Sequence, residues 1–178
     1  MSYITTVTGK HFDPLNPDDR LIDIYDIAHS LSLMCRANGH AKFFYSVAQH
    51  SIACANEAKA RGWSREVIIG CLLHDASEAY LSDVTRPVKK ELTFYLEVEE
   101  CLQDKIWEHF IGRNLTSDEK KMIFEVDDQM LSAEFHQIMP EDMDESYKDL
   151  YLEVSCEEKI HEAVEKDFLE CFYDNGPE

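Results

Sequence analysis

The sequence predicts an all-α domain: a single bundle of about six helices behind a short N-terminal extended arm or strand. Three observations predict it. Capping-box signatures, in which a Ser or Thr is followed three residues later by Glu or Gln, open three separate segments. Strand signals are confined to the first few residues, and no repeat or low-complexity linker divides the rest. The arm is placed at residues 1–20 and the helical domain at residues 21–178.

Each element has its own punctuation. Tyr3 to Thr8 is rich in β-branched residues, but Gly9, Pro14 and Pro17 interrupt the chain directly after it, so a short strand or arm is the most it supports. A first helix is expected from about Asp23 to Ala37, with Asn38-Gly39 as its stop signal. Ser46-Val47-Ala48-Gln49 is a capping box, and an apolar-rich run extends from it to Gly62. A third helix is expected from Ser64 to about Leu81, and a fourth from near Thr85, past an early Pro87, to Phe110 before Gly112. Thr116-Ser117-Asp118-Glu119 is the second capping box, opening a run to about Met139, where Pro140 blocks continuation. Ser155-Cys156-Glu157-Glu158 is the third and predicts a helix to about Tyr173, with Asn175-Gly176 beyond. The acidic stretch from Pro140 to Ser146 reads as a solvated loop.

Length and composition fit one soluble globular unit: 178 residues, 44% hydrophobic and 30% charged. The net charge of −19 repels a phosphate polymer at long range, which argues against nucleic acid as the main partner. A small phosphorylated substrate is compatible only if a metal, or a positioned Arg or Lys, supplies a local cation. No basic stretch followed by an apolar run opens the sequence, and no run approaches the roughly 18 apolar residues of a membrane span. Cys35, Cys54, Cys71, Cys101, Cys156 and Cys171 form no C-x-x-C pair, so reduced thiols and a cytoplasmic location are expected.

The residues that carry chemistry are a His-Asp pair and its surroundings. His74-Asp75 ends an almost wholly apolar run from Val67 to Leu73, and a buried His-Asp pair is unfavourable unless both groups have partners. Glu78 lies four residues after His74 and three after Asp75, so the three can border one helical face. His50 lies early in its capped helix, and Asp127 lies in mid-helix. Two imidazoles and two carboxylates make a mixed N/O donor set suited to a divalent metal. Half of a di-iron signature, Glu158-x-x-His161, has no second copy, so His161 reads as a surface residue.

The ordered set His50, His74-Asp75, Asp127 resembles the HD-domain metal-dependent phosphohydrolases, and within them the compact bacterial and phage 5′-(deoxy)nucleotidases. The resemblance runs from about Ile27 to Glu134 and extends to Glu78 and Asp83 in His74-Asp75-x-x-Glu78-x-x-x-x-Asp83. It implies one divalent ion (Mn, Co, Zn, Mg, Ni or Fe) on His50, His74, Asp75 and Asp127, with Asp128 as the alternative last ligand. It implies catalytic roles for Glu78, which would take a proton from water or orient it, and for Asp83, which would assist the leaving 5′-oxygen or hold the sugar. It implies a phosphate-contacting Arg36, with Lys42, Arg86, Lys89 and Lys90 as secondary cations. Ala37 departs from the pattern: the bacterial deoxynucleotidases carry Trp beside that Arg, so an aromatic wall against the sugar is absent or comes from Phe43, Phe44 or Tyr45. The implied substrate is a small nucleotide, most simply a nucleoside 5′-monophosphate. Triphosphate removal at the same site and a non-catalytic metal-binding module are the alternatives. Neither a nucleic-acid polymer nor a membrane is implied as partner, and dimers occur among such proteins.

Overall fold

The computed structural model describes residues 3–140 and 149–176. The acidic stretch from Glu141 to Ser146 lies outside them. Among the described residues the chain is all-α, with one small sheet at its start. β1 (Ile4–Thr5) and β2 (His11–Phe12) form an antiparallel hairpin, and a 3-10 turn covers Asp19–Leu21. Among the described residues eight α-helices come after it: α1 (Ile24–Leu33), α2 (Val47–Ala60), α3 (Arg65–Leu72), α4 (Glu78–Leu81), α5 (Arg86–Lys89), α6 (Thr93–Ile111), α7 (Ser117–Ile138) and α8 (His161–Asn175).

The hairpin is tied to the bundle. The Thr8 amide and hydroxyl both donate to the buried Asp26 carboxylate at 3.0 and 2.9 Å, and Phe12 is fully buried against the Tyr80 ring. α2, α3 and α7 pack on one another, and α8 closes the bundle against α1, α2 and α3. Their contact faces supply one hydrophobic core that includes Ile27, Leu31, Val47, Ile69, Leu72, Ile123, Val126 and Phe168.

Two of the three capping boxes form as the sequence predicts. Ser46 and Gln49 exchange side-chain and backbone hydrogen bonds at the start of α2, as do Thr116 and Glu119 at the start of α7. The third does not. Residues 153–160 are irregular, and helix α8 begins only at His161 with no side-chain cap. The reason is tertiary. Glu57 accepts the Tyr151 and Leu152 amides at 2.8 and 3.0 Å, and Gln137 bonds the Val154 carbonyl and the Cys156 amide. Gln49 donates to the Glu157 carbonyl at 2.9 Å. Side chains from α2 and α7 thus hold the segment on an irregular path, and the Glu157 carbonyl that a helix would use is already engaged.

Three predicted helices are shorter than expected. The first ends at Leu33 because Met34 and Cys35 turn extended, and the chain from Met34 to Arg36 pairs with Tyr45, Ser46 and Val47, through Arg36 N–H to Tyr45 O at 2.8 Å and Val47 N–H to Met34 O at 2.9 Å. Arg36 therefore lies beside the start of α2, in a 3-10 turn over Arg36–Gly39. Within that turn Ala37 and Asn38 both take positive φ, 54° and 51°, a conformation that costs an L-residue about 1–2 kcal/mol. The expected helix from Ser64 to Leu81 is broken by a turn at residues 73–77, and the one from Thr85 to Phe110 is split into α5 and α6. No described helix is long and apolar enough to cross a membrane, and all six cysteines are free thiols.

Candidate metal centre and its cavity

The turn between α3 and α4 carries His74-Asp75, so this pair and Glu78 are brought together by a tight turn and not by one helical face. Gln103 on α6 holds the turn from both sides. Its amide donates to the Leu73 carbonyl at 2.7 Å, and its carbonyl accepts the Ser77 amide at 3.0 Å. Inside the turn, the Ala76 amide returns to Leu73 O and the Glu78 amide to Asp75 O, both at 3.0 Å. α2 contributes His50, and α7 contributes Asp127 from its middle and Glu134 two turns later.

These side chains converge. The imidazole centroids of His50 and His74 are 5.1 Å apart. His50 Nδ1 is 2.7 Å from Glu134 Oε2, and His74 Nδ1 is 2.7 Å from the Cys71 carbonyl oxygen. A carbonyl can only accept, so His74 carries its proton on Nδ1, and the Glu134 carboxylate sets the same tautomer for His50. Both Nε2 lone pairs then face inward onto oxygens: Asp127 Oδ1 lies 3.0 Å from His50 Nε2 and 3.6 Å from His74 Nε2, and Asp75 Oδ2 lies 3.3 Å from His74 Nε2. His74 Nε2 is buried without a hydrogen-bond partner. The repulsion among four acceptors around one point is offset by a cation held between them or by a proton on an imidazole. The electrostatics point the same way. Burial disfavours charge on both imidazoles, yet the surrounding carboxylates raise His50 and lift His74 well above the ordinary histidine range. Asp75 and Asp127 are held well below the carboxylate range against the effect of their own burial, chiefly by the histidines.

The chemistry of the donor set fits a divalent ion. His50, Cys54 and His74 form a buried group that could hold a metal, with donor atoms within 4.8 Å of one another, and the Asp75 and Asp127 oxygens lie inside the same radius of His74. Asp127 and its neighbour are distinguished by direction. Asp127 points at the histidines and is 15% exposed, whereas Asp128 is 66% exposed and turned to Arg86. Arg86 bridges the two, with its terminal nitrogens 3.0 Å from Asp127 Oδ2 and 2.8 Å from Asp128 Oδ1.

The cluster opens on a cavity of about 1150 Å³ lined by His74, Asp75 and Asp127 together with Arg36, Glu78 and Asp83. Arg36 is buried, 3.3 Å from Asp75 Oδ2 and 4.0 Å from Glu134 Oε2, and its Nε has no partner. Glu78 is 5% exposed. One of its oxygens lies 3.6 Å from Lys89 Nζ and the other has no partner. Burial, then Asp75 and Asp83, push its carboxyl well above the usual range. Burial also raises Asp83, which comes after Ser82 at a strained φ of 75°.

Sequence reasoning missed several groups. Trp107, Phe124 and Phe135 line the cavity, whereas Phe43, Phe44 and Tyr45 do not. Tyr45 instead donates to Glu134 Oε1 at 2.9 Å, behind His50. Glu134 itself is fully buried at a helical spacing of seven from Asp127, a signal that was present in the sequence. Gln103 gave no local signal. Of the cations named from sequence, Arg86 and Lys89 line the cavity, while Lys42 donates to the Gln137 carbonyl and neither it nor Lys90 lines the cavity. His29 pairs with Glu165 at 2.9 Å, and His40 lines the cavity.

No protein-family model matches the chain. It is similar to the uncharacterized protein YfdR of Escherichia coli (strain K12), 43% identical over 112 residues, which are 62% of this chain and 59% of that protein. It is also similar to an uncharacterized protein of Rhodobacter capsulatus, 36% identical over 105 residues, 54% of this chain and 52% of that one. The chain thus spans between half and three fifths of the length of these curated relatives.

Proposed function

We propose that this chain is a metal-dependent phosphohydrolase of the HD-domain kind that acts on small nucleotides, most simply a 5′-nucleotidase releasing phosphate from (deoxy)nucleoside 5′-monophosphates. The observation that carries the reading is the inward-facing set of His50, His74, Asp75 and Asp127, the last three of which line the cavity that also holds Arg36, Glu78 and Asp83. The ordered sequence resemblance supports the same reading. A divalent ion held by the four would polarise the phosphoryl group and lower the pKa of water from 15.7 toward roughly 7 in the zinc case.

The chain's own residues supply the rest. Arg36, with an unpaired Nε, offers charge-assisted hydrogen bonds to a phosphoryl oxygen. Glu78 keeps one carboxylate oxygen free and its affinity for protons high, which suits it to accept a proton from the attacking water. Attack on phosphorus breaks the bond to the 5′-oxygen, and Asp83, also with raised proton affinity, assists the leaving alcohol. Trp107, Phe124 and Phe135 give the cavity an apolar wall suited to a base. Free thiols throughout suit a reducing, cytoplasmic setting.

A triphosphate is the second reading, favoured by cavity volume: about 1150 Å³ exceeds what a monophosphate needs. The charge of the wall favours the first. Arg36, Arg86, Lys89 and Lys120 face eight carboxylates among the lining residues, so each added phosphate meets further repulsion. Release of phosphate, pyrophosphate and tripolyphosphate across a nucleotide panel with Mn, Co, Mg and Zn tests this. Phosphate from monophosphates is expected, tripolyphosphate would move the triphosphate reading ahead, and no release with any metal would sink both.

A further inference from the structure

On its core side the centre holds a donor that the hydrolytic reading leaves idle. Cys54 stands one helical turn after His50 on α2 and is 1% exposed, with Sγ 3.6 Å from His50 Nε2. The donor atoms of His50, Cys54 and His74 lie within 4.8 Å of one another. A second, independent observation points to the same place: the buried His74 Nε2 has no hydrogen-bond partner. Ligands at about 2.0–2.3 Å from one tetrahedral ion stand roughly 3.3–3.8 Å from each other. The 3.6 Å separation of sulfur from His50 Nε2 falls in that range, as do the 3.3 Å from Asp75 Oδ2 and the 3.6 Å from Asp127 Oδ1 to His74 Nε2.

We propose that the centre has two alternative fourth ligands, Asp75 on the cavity side and Cys54 on the core side, and that a thiophilic ion such as Zn²⁺ or Cd²⁺ takes His50, His74, Asp127 and the Cys54 sulfur. The proposal rests on the reading that these histidines and Asp127 hold a metal. Sulfur binding breaks the S–H bond, forms the metal–sulfur bond and releases the proton to solvent. Hard ions such as Mn²⁺ and Mg²⁺ prefer oxygen and take Asp75, next to Arg36 and the cavity. A thiophilic ion is drawn one ligand deeper, away from the substrate. Cys71, the other fully buried thiol, serves the site through its backbone carbonyl, which accepts from His74 Nδ1.

X-ray absorption at the zinc edge tests this on the full chain loaded with Zn²⁺ and freed of excess metal. Wild type and Cys71→Ser should show one sulfur neighbour at about 2.3 Å beside nitrogen and oxygen neighbours at about 2.0–2.2 Å. Cys54→Ser and Cys54→Ala should show none. Mn²⁺-loaded wild type, measured at the manganese edge, should show oxygen and nitrogen only. Nitrogen and oxygen alone around zinc in wild type overturns the proposal without reference to any variant, as does sulfur that persists in a folded Cys54 variant. A sulfur-bound zinc in a protein whose Mn²⁺ form hydrolyses no nucleotide upholds this inference and sinks the hydrolytic reading. A turning-over enzyme with an all-N/O zinc does the reverse, and failure to bind any zinc overturns the thiol ligand outright.

Discussion

Asp127 and Asp128 are adjacent carboxylates with opposite surroundings, and at this scale the sequence alone left the choice open. Asp127 faces two imidazoles at 3.0 and 3.6 Å, while Asp128 is mostly solvated beside Arg86. Asp127→Ala is therefore expected to abolish metal binding, whereas Asp128→Ala should leave affinity within a few-fold of wild type; titration with Mn²⁺ followed by calorimetry separates them, and equal losses would refute the assignment. Glu134 acts through His50. Its carboxylate accepts from His50 Nδ1–H and from the Tyr45 hydroxyl, fixing the imidazole so that Nε2 faces the centre. Glu78 lies within the cavity but, unlike the histidines, is not among the donors to the proposed ion. Glu78→Gln should retain metal stoichiometry while turnover falls by about 10²–10⁴-fold, the usual scale of general acid–base help. Near-wild-type turnover in that variant would remove Glu78 from the mechanism. Arg36, Glu78 and Asp83 were legible through the resemblance, because each lies close in sequence to a ligand or to the His-Asp turn.

The breaks in the helices matter more to the site than the helices. An unbroken helix through His74 and Glu78 would lack the turn that sets both on the cavity wall, and Gln103, thirty residues after Leu73, holds that turn at its Leu73 carbonyl and Ser77 amide. Gln103→Ala leaves the buried Ser77 amide unpaired and strips the Leu73 carbonyl of one of its two donors. The expected loss is about 1–3 kcal/mol per unsatisfied group, with metal affinity reduced as well, read by chemical denaturation beside metal titration; unchanged stability would mean that the turn holds itself. Local signals did fix the start of α7. Glu119 caps Thr116 and pairs with Arg113, which holds its carboxyl down at about 2 from an ordinary 4.5. A carboxyl depressed on folding contributes stability that is complete above its unfolded pKa and is lost as pH falls through its folded one. The melting-temperature gap between wild type and Glu119→Gln should therefore be full above pH 4.5 and close toward pH 2. A gap that widened on acidification would contradict the sign.

Over the whole molecule, the segment from Tyr151 to Glu157 acts as a strap held by side chains of α2 and α7. Glu57 is its main anchor: fully buried, it takes Arg61 Nε at 2.7 Å and two strap amides. Glu57→Ala takes from Arg61 its nearest carboxylate and leaves both amides without their acceptor. Breaking a buried pair in this way costs about 3–5 kcal/mol, so a large fall in melting temperature and faster proteolysis within the strap are expected; a melting temperature within a degree or two of wild type would deny the strap its role. By itself the sequence determined the helical class, the two true capping boxes, the confinement of strand to the first residues and the identity of the converging His and Asp side chains. Those properties rest on periodicity, local hydrogen-bond chemistry and donor type, which act over a few residues. Tertiary structure decided where helices stop, why Ser155 caps nothing, which of two aspartates faces the histidines, and that Gln103 holds the His74 turn while Glu134 holds His50. Each of these depends on a buried polar group finding a partner far away in the chain, and no local pattern records which partner packing will bring.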